Sequence, residues 1–294
     1  MSYTTHKITS PTGATLTYTP FGGHLLSYTP PSSPPLIWLS TTHIMDKSRS
    51  IRGGIPVCFP QFGQRIDLVS PQHGWARLNT WDHPAPGIMS IRSTDPGVVN
   101  GRPEGGHWPV EGCPHDVGVE VRVELDELGG LVYTCQVENL GSCNVPFQLL
   151  LHNYFRFSIP DGTVKGLEGY RYIDTQPPSA SGWEFSTQGD GPVKITREHD
   201  VIYHPPSGVT DLKAEIKSEA CNVRLNVNAR IVGGEDIPVS AVVWNPGPEK
   251  AKRMSDFDDD GYKGMVCVEP GIIEGQRTMK GGEKVEVVMR VSAF

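Results

Sequence analysis

Side chains that alternate between apolar and polar over many consecutive positions suit a strand, whose successive residues face opposite sides of a sheet, and do not suit a helix. Several stretches of this chain carry that pattern. Val119, Val121, Val123 and Leu125 alternate with Glu120, Arg122 and Glu124. After the turn-like Asp126-Glu-Leu-Gly-Gly130 the run from Leu131 to Val137 resumes it, which predicts a hairpin. Cys221, Val223, Leu225 and Val227 alternate with Asn222, Arg224, Asn226 and Asn228, and Val285, Val287, Met289 and Val291 do the same near the end. No comparable long stretch repeats every 3.6 residues. Gly and Pro, 33 and 26 of the 294 residues, are spread along the chain, as frequent turns between short strands require. Strands that follow strands favour antiparallel sheets stacked face to face. The expected fold is therefore an all-β, twisted antiparallel β-sandwich, one domain over residues 1–294, with the Pro/Gly-rich span near 95–115 as a long surface loop.

Composition narrows the function. A net charge of -7 argues against a general nucleic-acid binder, which presents a broad basic surface to phosphates. A small phosphate pocket needs only a few local arginines. The N-terminus MSYTTHKITSPTG has no basic region leading into an apolar run, and no stretch of ~18 apolar residues occurs, so a cytosolic, cytoplasmic protein without a membrane partner is expected. The six cysteines (58, 113, 135, 143, 221 and 267) form no CxxC pair; Cys135 and Cys267 read as small buried thiols, and the cysteines as reduced.

Candidate chemistry concentrates in a few places. Arg52-Gly-Gly-Ile-Pro-Val-Cys-Phe-Pro-Gln-Phe-Gly63 and Pro71-Gln-His-Gly-Trp-Ala-Arg77 combine backbone-shaping Gly and Pro with two guanidinium forks suited to an oxyanion. From Val145 to Ile159 one long strand is expected. One face carries Val145, Phe147, Leu149, Leu151, Phe155 and Phe157, and the other, less apolar face carries His152 with Tyr154 and Arg156. By itself His152 reads as a histidine capping a strand contact or satisfying a carbonyl, and Tyr154 and Arg156 on the same face shift the reading towards a polar pocket. Glu269 ends the apolar run Met265-Val-Cys-Val268 near the mouth of a strand, either as an edge glutamate turned to solvent or as a half-buried carboxylate facing a histidine. The second arrangement is what general acid–base chemistry needs. Asp256-Phe-Asp-Asp-Asp-Gly261 imitates the opening of a calcium loop, but its twelfth position is Cys267, so it reads as a solvated acidic loop. The ten histidines form no HExxH or other ligand spacing on one element, although His73 and His152 could meet in space, and no metal is expected. GxSxG and P-loop motifs are absent.

Taken together, Ile51–Gly63, Pro71–Arg77, Leu151-His-Asn-Tyr-Phe155, Asp200-Val-Ile-Tyr203, Val243-Trp-Asn-Pro246 and Val266-Cys-Val-Glu-Pro-Gly271 resemble the glucose-6-phosphate 1-epimerases, the hexose-phosphate mutarotases of the aldose 1-epimerase superfamily. The likeness runs in the family's order from about residue 20 to the C-terminus. It implies a galactose mutarotase-like sandwich that interconverts the α and β anomers of a hexose 6-phosphate without a cofactor. His152 and Glu269 would be the catalytic pair, with Arg52 and Arg77 on the phosphate and neighbouring hydroxyls, His73 near the ring oxygen and Asp200 on a sugar hydroxyl. Two positions depart from the family pattern: Ser50 stands where proline is frequent, and Val201 where arginine usually follows the aspartate. The rival readings are a mutarotase of unphosphorylated aldoses and a non-catalytic carbohydrate-binding protein. The residues leave the oligomeric state open, with a monomer as the default.

Overall fold

The computed structural model describes residues 3–44, 46–64, 70–99, 116–176 and 184–294. Most of the span expected to form a surface loop near 95–115 lies outside them. The described strands form three antiparallel sheets. His6–Thr9, Thr15–Thr19 and His24–Thr29 make a three-stranded sheet. The expected hairpin is present as Val117–Leu125 and Leu131–Asn139, paired from Val117 opposite Asn139 to Leu125 opposite Leu131. It belongs to a ten-stranded sheet in which Leu131–Asn139 pairs with Lys284–Ala293, and that strand with Asn222–Ile231. The third, eight-stranded sheet runs through Arg171–Asp174, His199–His204, Ser240–Asn245, Met265–Met279, Val145–Leu151 and Val57–Cys58.

Alternation decides which faces meet. Val268, Ile272, Leu149 and Leu151 of the eight-stranded sheet pack with Val223, Leu225, Val287 and Met289 of the ten-stranded sheet in one buried core. Each such side chain contributes roughly 1.5–3 kcal/mol on leaving water. The opposite face of the eight-stranded sheet carries a second buried cluster, which includes Trp38, Tyr154, Trp244, Phe257 and Cys267. A sheet buried on both faces cannot show strict alternation, which is why Val145–Leu151 reads as a nearly continuous apolar run. Among the described residues the one α-helix is Gly247–Ala251, and no helix is long and apolar enough to cross a membrane.

Three expectations need correction. The strand expected over 145–159 is two strands, Val145–Leu151 and Tyr154–Arg156, interrupted at His152 and Asn153. Buried Asn153 causes the break: its backbone N–H turns to the Leu151 carbonyl, and its side-chain amide donates to the Val268 carbonyl at 3.2 Å. Glu269 does not sit at a strand mouth. It lies inside the fifteen-residue strand Met265–Met279, opposite Val242, and is 1% exposed. The cysteines are not all reduced either: Cys58, Cys135, Cys221 and Cys267 are free and buried, whereas Cys143 is disulfide-bonded. A disulfide depends on proximity in space, which spacing along the chain does not report.

The loop that carries Arg52 is seated on His24, a residue the sequence did not single out. Its ring is buried and Nε2 donates to the Gly53 carbonyl at 2.9 Å. A Cβ on Gly54, whose φ is +69°, would lie 2.2 Å from that same nitrogen, so only glycine fits over the ring. Burial pushes the His24 pKa down to about 3. Below pH ~6.5 the unfolded chain therefore binds a proton that the folded chain refuses, and stability falls as pH drops from ~6.5 towards 3. The slope from this group approaches ~1.4 kcal/mol per pH unit. Denaturant unfolding of the protein and of His24→Gln across that range should show the variant's acid slope shallower by about that amount. Parallel slopes would contradict the burial of this imidazole.

Candidate active site

The pairing of Met265–Met279 with its neighbours sets the geometry. Leu150 lies opposite Gly271 before the break, and Tyr154 lies opposite Cys267 after it. Both pairs belong to one register, in which position 152 falls opposite 269. The interruption therefore frees the backbone of His152 without moving it off Glu269. His152 Nδ1 stands 3.3 Å from Glu269 Oε1, in contact but without the alignment of a hydrogen bond, so Nδ1 and Glu269 Oε2 are buried atoms with no hydrogen-bond partner. The His152 ring stacks on Tyr154, with centroids 4.8 Å apart and planes within 10°.

These groups open on a cavity of about 290 Å³. Its walls include all six side chains singled out from the sequence: Arg52, His73, Arg77, His152, Asp200 and Glu269. Asp200, opposite Trp244 in the ladder, thus reaches the cavity although Val201 departs from the expected motif. Lys250 and Met254 also line it and were missed. They come from the short helix and the turn after it, segments with no periodic signal to mark them.

The two arginines differ. Arg52 is anchored through each of its three nitrogens: Nε and Nη2 donate to the two carboxylate oxygens of Asp256 at 3.3 and 3.4 Å, and Nη1 donates to the Tyr154 hydroxyl at 3.3 Å, which leaves two of its five N–H groups uncommitted. Asp256 is 4% exposed, which corrects the reading of 256–260 as a wholly solvated acidic loop. Its carboxylate is buried because it has a guanidinium to pair with, and only Asp259 and Asp260 are fully exposed. Arg77 donates to the Gln72 carbonyl at 3.0 Å and to Ser50 Oγ at 3.4 Å, while its Nε is buried without a partner. No carboxylate among the described residues pairs with it. Burial and then the Arg52 charge lower its pKa, so Arg77 is a cation held in place without an anion.

His73 sits at φ +61°, a left-handed conformation that costs a non-glycine residue ~1–2 kcal/mol. Its neighbour Gly74, at φ +77°, is obligatory, because a Cβ there would come 1.9 Å from the Phe59 carbonyl oxygen. This turn aims His73 into the cavity, where its ring meets that of His152 edge to face at 5.7 Å. The Gly63 N–H donates to His73 Nδ1 at 3.2 Å. Burial lowers the His73 pKa well below 6.5, so the ring is neutral, with its proton on Nε2.

Burial pushes both members of the pair towards their uncharged forms. Burial, then Arg77 and Arg52, push the His152 pKa well below 6.5. Burial and the nearby Asp200 push that of Glu269 well above 4.5, against a smaller opposing pull from Arg77. Imidazole and carboxylic acid together hold one mobile proton, one group able to give it and the other to take it. Cys267, two residues before Glu269 on the same strand face, brings its thiol to this pair; ligand atoms of His152, Cys267 and Glu269 all lie within 4.8 Å of one another.

The chain matches the Aldose 1-epimerase family over residues 4–292. A Cenchrus ciliaris protein provisionally named glucose-6-phosphate 1-epimerase is 33% identical over 272 residues, covering 90% of this chain and 77% of its own length. A Salmonella typhimurium protein with the same provisional name is 30% identical over 259 residues, covering 84% and 76%. Among solved structures, a provisionally named mutarotase from Salmonella typhimurium superposes with a TM-score of 0.74 at 22% identity, over 100% of this chain and 92% of its own. A GalM/aldose epimerase homologue from C. elegans gives 0.65 at 12% identity, over 99% of each chain. A match to the family over residues 4–292, with a relative 33% identical along 90% of the chain, means that this chain belongs to the aldose 1-epimerase family.

Proposed function

We propose that this protein is a hexose-6-phosphate mutarotase that interconverts the α and β anomers of D-glucose 6-phosphate. The observation that carries the reading is the contact of a buried histidine and a buried glutamate in the same cavity as Arg77, a guanidinium without a counter-ion among the described residues. Ring opening needs a proton delivered to the ring oxygen as the C1–O bond breaks, and another removed from the C1 hydroxyl as the aldehyde forms. Rotation about C1–C2 and reclosure by the reverse transfers invert the centre. One acid and one base suffice, and the pair ends with as many protons as it began.

The shifts favour neutral imidazole and carboxylic acid at rest, the reverse of the protonated His152 and ionised Glu269 that a simple donor and acceptor assignment would use. The two arrangements are tautomers, related by one proton moving across the 3.3 Å contact. Arg52 and Arg77 hold that proton off His152. A bound phosphate dianion offsets their charge, which favours imidazolium and carboxylate as substrate arrives. His152 then protonates the ring oxygen while Glu269 takes the hydroxyl proton.

Preference for a phosphorylated sugar rests on charge. Arg77 has no carboxylate partner among the described residues, Lys250, paired with Glu198, lies on the same wall, and a basic hollow of about 490 Å³ adjoins the cavity, sharing Arg52, Arg77 and Met254 and adding Arg49 and Arg253. A neutral sugar has no use for this concentration of cations, whereas a phosphate accepts forked hydrogen bonds from them. His73 Nε2–H and Asp200 would orient the ring and a hydroxyl.

Exchange NMR between the anomeric protons of glucose 6-phosphate, with glucose and galactose alongside, tests the activity. The protein should accelerate exchange of the phosphorylated sugar. His152→Asn and Glu269→Gln should each lose ~10²–10⁴-fold in turnover while still binding substrate. Full turnover in either variant would remove the role given to that residue. Arg77→Met should raise KM for glucose 6-phosphate by ~10–100-fold, the loss of one to two charge-assisted hydrogen bonds, with little change in kcat. An unchanged KM would mean that the phosphate lies elsewhere. Ring-proton NMR of the protein alone checks the resting state. Because the folded pKa of His152 lies below 6.5, its signals should hold the neutral position from pH 8 down through 6.5 and move only at lower pH; a midpoint at or above 6.5 would contradict it.

A further inference from the structure

Proton transfer in this cavity needs an imidazole and a carboxyl group but no thiol, yet a thiol stands beside them. Cys267 and Glu269 share one face of the strand Met265–Met279, with His152 opposite Glu269 in the ladder. Ligand atoms of all three lie within 4.8 Å of one another, and all three residues are buried. Two of those residues present atoms with no hydrogen-bond partner, His152 Nδ1 and Glu269 Oε2. We propose that His152, Cys267 and Glu269 form an inhibitory site for a zinc ion.

The donor set selects the metal. Sulfur, imidazole nitrogen and carboxylate oxygen suit zinc, which binds them at ~2.0–2.3 Å in a tetrahedron whose ligands stand ~3.3–3.8 Å apart. The 3.3 Å contact between His152 Nδ1 and Glu269 Oε1 already has that spacing. Calcium and magnesium, which demand six or more oxygens, are not served. Charge permits a dication beside Arg52 and Arg77 only if the ligands neutralise it, and a thiolate with a carboxylate does so. Binding releases the thiol and carboxylic protons to solvent, and burial, which holds both protons on, sets the cost of that release. Three protein ligands leave the fourth position facing the cavity, for water or a substrate hydroxyl. The ion occupies the acid and the base together, so zinc binding and proton transfer exclude each other. That consequence rests on the catalytic reading above; the site itself does not.

Cobalt(II), added alone to the reduced, metal-free protein, reports the site without reference to activity. The expected result is a thiolate-to-cobalt charge-transfer band with tetrahedral visible bands, displaced by zinc. The charge-transfer band should vanish in Cys267→Ser and in Cys267→Ala, two variants of different polarity in case one fails to fold. Zinc titrated into the anomeric exchange assay should inhibit the wild-type protein reversibly by chelator. Each variant, measured against its own zinc-free rate, should need at least ~10-fold more zinc. Absence of the thiolate band in wild type, or equal zinc sensitivity in wild type and both variants, would overturn the proposal. A protein that shows the cobalt band but accelerates no sugar would keep the site and lose the catalytic reading.

Discussion

Everything in the cavity depends on one register. Met265–Met279 pairs with Val145–Leu151 and with Tyr154–Arg156 in the same alignment, although the backbone between them leaves the ladder at His152 and Asn153. The Asn153 amide bond to the Val268 carbonyl ties the interruption to the partner strand, so the break cannot slip. A one-residue shift would turn His152 to the other face of the sheet and put Leu151 or Asn153 opposite Glu269. Two buried ionisable groups are tolerable because they face one another across a fixed ladder and can share a proton instead of each carrying a charge.

Around that pair the charges follow a division of labour. Asp256 and the Tyr154 hydroxyl each hold part of the Arg52 fork and fix its orientation, whereas Arg77 keeps a buried Nε without a hydrogen-bond partner. The same logic holds for the neutral rings. His24 under Gly53 and His73 at its left-handed turn are kept uncharged by burial, and each spends one ring nitrogen on the backbone of the loop that it supports. Strain at His73 and close packing at Gly54 and Gly74 are the cost of bringing two loops over one sheet face.

Much of this was legible beforehand. Alternation at Val119–Leu125 and Val285–Val291 marked real strands, because each has one face in the core and the other towards solvent. It failed to resolve the break at 152–153, since a strand buried on both faces has no polar phase to lose. Glu269 looked like a strand end because Pro270 and Gly271 are ordinary terminators, yet both sit within the ladder, opposite Ala241 and Ser240. Asp256 looked solvated because three of its neighbours are acidic. The guanidinium that buries it lies 204 positions away in the chain.

The sequence by itself determined the sheet class and the motif glycines and prolines, because periodicity and local turn chemistry are properties of neighbouring residues, and its resemblance to a known family singled out six side chains that line the cavity. Tertiary structure alone decided that His152 meets Glu269, that Arg52 is neutralised while Arg77 is not, that Lys250 joins the wall, and that Cys267 lies within reach of the pair. Those outcomes turn on strand register and on burial. Both arise when segments more than a hundred residues apart come together, and no local pattern encodes the distances between them.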